Sequence, residues 1–278
     1  MAAETTVHIP VLVRECVQLL NIAAGDVVID ATFGGGGHSQ KILDAIGPQG
    51  QLLAFDRDPL AVAKGLEWIP ENCRLTCANY ADIPEHLKAL GVASVQAILM
   101  DLGLSSDQLA DAQRGFSFQH DGPLDLRFNQ NYGEPAYRLV NRLKEKHLAD
   151  LIYEYGEEKY SRLIARRICE SRHRQPIRTA WQLAELVRSV VRKGKHERID
   201  PATRTFQAFR IAVNEELKWL RVAIRRLPAL LAPNGRIGVI SFHSLEDRIV
   251  KTTFVGNSQL TVISKRPVMA AADEIARN

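Results

Sequence analysis

Four short apolar runs in the first hundred residues constrain this chain more than any other feature. "DVVID" (26–30), "QLLAFD" (51–56), "CRLTC" (73–77) and "VQAILMD" (95–101) are each of strand length, and three of them end in an acid. Between them the periodicity is helical, over residues 38–46, 59–66 and 83–90, with Pro59 suited to a first helical turn. Parallel strands need a crossover, and crossover helices cover both faces of the sheet, which is why such strands read apolar almost throughout. The predicted class is therefore α/β, with a mostly parallel sheet.

The pattern changes after residue 108. From 109 to 204 there is no strong strand signal. The run 147–170 reads as helical throughout. So does 180–193, where Leu183, Leu186, Val187, Val190 and Val191 form one apolar stripe. A long helix over 202–231 leads to a turn and fifth strand in "NGRIGVISF" (234–242), a helix over 245–254 and a last strand in "LTVIS" (260–264). The expected organisation is a core of residues 1–108 and 205–278 with an all-helical domain, 109–204, inserted after the fourth strand.

Charge follows this division. The chain carries +4 overall, yet residues 138–226 hold 22 Lys and Arg against 11 Asp and Glu, a net of +11. The remainder holds 14 against 21, a net of −7. A basic segment on an acidic body is the footprint of a phosphate-rich partner, or else a solvated helical face. No stretch approaches the roughly 18 apolar residues of a membrane helix, and residues 1–10 carry no secretory or transit pattern. Four scattered cysteines fit a reducing, cytoplasmic setting. Cys73 and Cys77 lack further ligands nearby, so a buried thiol pair is expected rather than a metal site.

A nucleotide-like cofactor fits the strand ends. "DATFGGGGHS" (30–39) joins the first strand to the first helix, and its glycines let backbone N–H groups approach a ligand. Asp56, closing the second strand, suits a pair of ribose hydroxyls, and Asp101 closes the fourth strand at the same crevice. Either a dinucleotide or S-adenosylmethionine satisfies this arrangement. The loop lacks the G-x-G-x-x-G spacing that seats a pyrophosphate, whereas an ammonium and a sulfonium favour carboxylates such as Asp30 and Asp101.

Longer stretches carry a resemblance. "HIPVLVRECVQLL" (8–20), "DATFGGGGHS", "FDRDPLA" (55–61), "MDLGLSSDQLADAQRGFSFQHDGPLDLR" (100–127), "YGEEKYSRLIARRI" (155–168), "PATRTFQAFRIAVNEEL" (201–217) and "GRIGVISFHSLEDRIVK" (235–251) together resemble the bacterial 16S ribosomal RNA cytosine-N4 methyltransferases. The resemblance implies a class I, Rossmann-like methyltransferase core with an inserted helical domain and S-adenosyl-L-methionine as cofactor. It implies cofactor contacts at Gly36, Gly37, His38, Asp56, Tyr80, Asp101 and Gln108. The implied target is the exocyclic nitrogen of a decoding-centre cytidine, in small-subunit ribosomal RNA or the assembled small subunit. It also implies a basic tail past the equivalent of Asn278, and a longer stretch at Ser258–Gln259 than this chain has.

Methyl transfer to an aromatic amine needs in-line positioning and an acceptor for the amine hydrogens. Asp101, followed by Leu102-Gly103-Leu104-Ser105, is the first candidate acceptor, with Ser105 and His243 of "SFHSLEDR" as further catalytic candidates. His243 has a structural alternative, and Ser244, Glu246 and Asp247 read equally as the cap and first-turn acids of a helix. Phe116 and Phe118 suit stacking on an extruded base or packing within the protein. No cysteine is expected to act as a nucleophile, since all four lie away from the strand ends. An NAD-dependent oxidoreductase and a catalytically silent ribosomal RNA-binding protein are the competing readings. No membrane and no metal is expected, and the sequence leaves monomer and homodimer open.

Overall fold

The computed structural model describes residues 10–119, 121–191, 199–264, 266–270 and 274. The elements run α1 (Val13–Leu20), β1 (Val27–Asp30), α2 (Gly37–Ile46), β2 (Gln51–Asp56), α3 (Pro59–Gly65), β3 (Cys73–Cys77), α4 (Ile83–Leu90), β4 (Val95–Asp101), α5 (Ser106–Ala110), α6 (Ala136–Arg142), α7 (Glu145–Gly156), α8 (Ser161–Arg172), α9 (Ala180–Val190), α10 (Thr203–Asn214), α11 (Glu216–Arg226), β5 (Leu231–Ile240) and α12 (Ser244–Gly256). Contacts group Met1–Leu104 with Leu217–Asn278 in one unit and Ser105–Glu216 in the other.

The first unit is built on a five-stranded parallel sheet ordered β3-β2-β1-β4-β5. Side chains alternate along each strand, so successive residues enter different layers. Ile29, Leu53, Phe55, Ile98 and Met100 face Ile83 and Leu87 of α4 and Leu220, Ala223 and Ile224 of α11. Val28, Leu52, Ala54, Ala97 and Leu99 face Leu20 of α1, Ile42 and Ile46 of α2 and Val62 of α3. That two-sided burial is the α/β architecture expected from the apolar runs. The strand order reverses at β1, whose neighbours are β2 and β4. This is the topological switch point where open α/β sheets bind ligands.

The second unit is helical, with an isolated antiparallel bridge between Pro123 and Thr179. Its helices α7, α8 and α10 pack together, and α9 lies on α8. Asn214, buried at the end of α10, holds the loop before α6. Its Oδ1 accepts the Phe128 N–H at 2.9 Å, and its Nδ2 donates to the Leu126 carbonyl at 2.7 Å and the Arg210 carbonyl at 2.9 Å.

Several expectations need correction. The single helix over 147–170 is two, α7 and α8, because Glu157 takes a left-handed conformation (φ 49°). A second such break at Glu215 (φ 50°) divides the long helix over 202–231 into α10 and α11, followed by a 3-10 turn. Since α10 packs on α7, it belongs with the helical unit, so the borders fall at 104/105 and 216/217 instead of 108/109 and 204/205. The fifth strand begins at Leu231 and ends at Ile240, with its pairing interrupted between Val95 and Ala97 around the expected turn. Residues 260–264 form no strand: they are mostly exposed and join no ladder among the described residues, and β-branched composition without a paired neighbour does not make one. The helix α1 had not been anticipated. The far end of the helix expected over 180–193 lies outside the described residues. Among the described residues, no helix is long and apolar enough to cross a membrane.

Candidate functional site

The carboxyl ends of β1, β2 and β4 bring three acids to the switch point. Asp30 is fully buried; it accepts from Ser39 Oγ at 2.7 Å and from the Thr32 N–H at 3.1 Å, and burial raises its pKa. Asp56 accepts the Gly34 N–H at 2.7 Å on one oxygen and the Asp58 N–H at 2.8 Å on the other. Each carboxylate oxygen has two acceptor sites, so these bonds leave capacity for a diol. Burial pushes the Asp56 pKa up to about 6.

Asp101 is anchored through its backbone, whose N–H donates to Thr32 Oγ1 at 2.6 Å. Its Oδ2 lies 3.4 Å from His38 Nδ1, while its Oδ1 is buried and has no hydrogen-bond partner among the described residues. Burial, then the Asp30 and Glu246 carboxylates, push its pKa up to about 7. His38 is itself buried, with Nε2 3.0 Å from the Val11 carbonyl. A neutral ring donating there carries no hydrogen on Nδ1.

The loop from Asp30 to α2 is laced to both neighbouring strands. Ala31 N–H donates to the Leu99 carbonyl and Phe33 N–H to the Phe55 carbonyl, each at 2.8 Å. Gly36 (φ 79°) precedes α2 under the stacked rings of Phe33 and Trp68, and a Cβ there would lie 2.9 Å from the Phe33 ring. A Cβ on Gly37 would lie 2.6 Å from Pro10. Packing within the protein therefore demands glycine at these two positions, whatever binds beside them. Tyr80 opens the 3-10 turn after β3, partly buried against the core, and Ala78 N–H donates to the Asp56 carbonyl at 2.9 Å.

The remaining expected site residues are placed as follows. His243 is the N-cap of α12, in place of Ser244. Its Nδ1 accepts the Glu246 N–H at 3.4 Å, and its Nε2 lies 3.3 Å from Glu246 Oε1. Glu246 Oε2 in turn accepts the Phe242 N–H at 3.0 Å. Ser105 and Gln108 lie in the helical unit as a reciprocal cap of α5: Ser105 Oγ accepts the Gln108 N–H at 3.2 Å, and Gln108 Oε1 accepts the Ser105 N–H at 3.0 Å. Phe116 stacks on Phe128 at 5.6 Å beneath Arg114, and Phe118 tilts against Phe206 at 4.9 Å beneath Arg188. Both rings thus pack within their own unit.

Cysteines also differ from expectation. Cys73 is buried but Cys77 is exposed, so they form no buried pair. Cys16 lies nearer the crevice than expected: burial first, then Asp101 among the acids, pushes its thiol up to about 12, which disfavours a nucleophilic thiolate. Among the described residues, no group of three or more His, Cys, Asp or Glu is placed to hold a metal ion. Thr32 and Glu246 were not singled out for the crevice. The acid three residues after His243 was the available signal for Glu246.

The donor set suits a cationic, ribose-bearing cofactor. Three desolvated carboxyl groups gather at the switch point, and one oxygen, Asp101 Oδ1, has no hydrogen-bond partner among the described residues. A family model described as the MraW methylase family matches residues 5–278. A protein of Thermomicrobium roseum named "Ribosomal RNA small subunit methyltransferase H" is 46% identical, covering 99% of this chain and 90% of its own length. Proteins of the same name from Nitrosomonas europaea and Deinococcus radiodurans are 49% and 47% identical. The matches cover 88% and 98% of this chain, and 78% and 85% of those proteins.

Proposed function

The chain belongs to the MraW methylase family, and from that premise we propose that it transfers a methyl group from S-adenosyl-L-methionine to the exocyclic amine of a cytidine in small-subunit ribosomal RNA. The observation that carries this reading is Asp101, at the end of β4: one of its carboxyl oxygens is buried and lacks a hydrogen-bond partner among the described residues, and burial raises its pKa. Buried polar atoms without partners are rare, and an amine N–H is the donor that carboxylates take from cytosine. The names of the relatives support ribosomal RNA of the small subunit as the substrate. The decoding-centre position and the choice of N4 rest on the sequence resemblance. Family membership removes the oxidoreductase reading.

When bound, S-adenosylmethionine supplies an electrophilic methyl group on a sulfonium. Asp56 would hold its ribose, and the negative charge of Asp30 and Asp101 complements its cationic groups. The resemblance adds Gly36, Gly37, His38, Tyr80 and Gln108 as contacts. The cytosine amine is a weak nucleophile because its lone pair is delocalised into the ring. Asp101 orients that amine through an N–H···O bond and takes up its proton as the nitrogen becomes tetrahedral. His38 Nδ1, facing the other oxygen, is placed to share that proton, while its Nε2–H bond to Val11 fixes the ring. His243 acts by capping α12 and holding Glu246, and Ser105 by capping α5. The helical unit supplies the basic surface for RNA.

A tritiated-methyl transfer assay on unmodified small subunits, followed by nucleoside analysis, tests the reading. Label in N4-methylcytidine is the expected result. Label on a ring carbon or on another base would overturn it.

A further inference from the structure

Within the helical unit, α6 brings Tyr137 beside Asn141, and Arg138 beside Asn141 and Arg142, since residues three and four apart are neighbours on a helix. These four, with Glu134, Pro176 and Arg178, line an open groove of about 400 Å³. The groove is built rather than accidental. Asn141 Nδ2 donates to the Ile177 carbonyl at 2.6 Å, and its Oδ1 accepts the Ile177 N–H at 3.0 Å, which pins the loop between α8 and α9 against α6. Arg172 adds a second clamp, donating to the Val140 carbonyl at 2.7 Å. Arg178 is thereby held at the groove's edge, and among the described residues its guanidinium has no partner. Arg142 is oriented by Glu134 at 2.7 Å, and Arg138 Nε lies 3.4 Å from the Tyr137 hydroxyl. Three arginines against one glutamate therefore line the groove. Guanidinium forks match phosphate oxygens in pairs.

We propose that this groove is a docking site for the phosphodiester backbone of the RNA substrate, with Arg138, Arg142 and Arg178 as the phosphate ligands and Asn141 holding the loop that carries Arg178. The proposal rests on the reading of the chain as a ribosomal RNA methyltransferase and adds the place where the backbone is held. It accounts for part of the +11 segment by a built site instead of a diffuse basic face.

The test uses the full chain and a fluorescent fragment of small-subunit ribosomal RNA. Affinity is measured against salt for the wild type, Arg138→Ala/Arg178→Ala and Arg138→Lys/Arg178→Lys. Both arginines are exposed, so melting temperature and S-adenosylmethionine affinity should not change. Losing two phosphate contacts should make the slope of log affinity against log salt shallower by about 1.4 for single-stranded RNA, and weaken binding roughly tenfold or more. The lysine pair should recover most of the slope. An unchanged slope and affinity in the alanine pair would overturn the proposal. So would retained affinity for naked RNA with lost methylation of assembled subunits, which would make the groove a protein-docking face. Wild-type methyl transfer is assayed in parallel. If it labels cytidine while the alanine pair keeps its slope, the groove fails and the activity stands. If it labels nothing while the slope still drops, the groove stands as an RNA site and the activity fails.

Discussion

Asp101 and Asp56 have separable tasks. Asp101→Asn keeps the shape and one acceptor but loses the charge that offsets positive charge developing on the amine. A loss felt only in the transition state lowers turnover and spares ground-state binding. The expected result is a single-turnover rate down by roughly a hundredfold or more, of the order seen when one electrostatic donor is removed, with a much smaller change in cofactor affinity. Full turnover at saturating cofactor would remove Asp101 from the chemistry. With its pKa near 7 in the free protein, Asp101 is largely protonated on the acid side, so kcat/KM should rise with pH through about 7. His243→Ala should leave that profile in place and lower the melting temperature through lost capping. Asp56→Ala does the reverse of Asp101→Asn. Ribose hydroxyls lose a charged acceptor worth roughly 1.5–3 kcal/mol, or about 10- to 150-fold in affinity by calorimetry. Unchanged affinity in a folded variant would take Asp56 out of the ribose site.

At the scale of elements, Asn214 carries a comparable weight for folding. Asn214→Ala strands the buried Phe128 N–H and Leu126 carbonyl, at a cost of about 2–4 kcal/mol of stability. A melting curve matching wild type would show that water or a neighbour replaces both bonds. The same region marks where the sequence stopped being legible. Strands β1, β2 and β4 were readable because burial on both faces makes them near-continuous apolar runs, each closed by an acid, while the edge strand β3 showed as a short alternating run. The helix breaks were not, because Glu157 and Glu215 adopt left-handed backbone without the glycine or proline that signals it. Gly156 was a readable hint: a Cβ there would lie 2.5 Å from the Arg204 carbonyl, so close packing of α7 on α10 fixes it. In the crevice, Asp30, Asp56 and Asp101 were visible from their positions alone. The His38–Asp101 contact and the Thr32 tether were not, since both depend on how the loop folds back across β4.

At the scale of the molecule, the crevice works against its own stability when empty. Asp30, Asp56 and Asp101 all have pKa values above the ordinary carboxylate range, about 6 for Asp56 and about 7 for Asp101, with burial as the first cause of each. A group that holds its proton more tightly folded than unfolded contributes stability that is fully present below the unfolded value of about 4. That contribution is lost as pH rises through the folded values. For Asp56 and Asp101 the window is therefore roughly pH 4 to 7, and the cofactor-free protein should melt at a higher temperature at pH 5 than at pH 8. Asp101→Asn removes one titrating group, so its melting curve should fall less steeply between pH 6 and 8 than that of the wild type. A bound sulfonium and ammonium favour the ionised carboxylates and lower their pKa values. Saturating S-adenosylmethionine should then raise the melting temperature more at pH 8 than at pH 5. Calorimetric scans of wild type and Asp101→Asn at both pH values, with and without cofactor, decide the matter. An equal cofactor shift at the two pH values, together with parallel curves for the two proteins, would mean that the crevice carboxylates do not titrate with folding, and the electrostatic account of cofactor binding would fall with them.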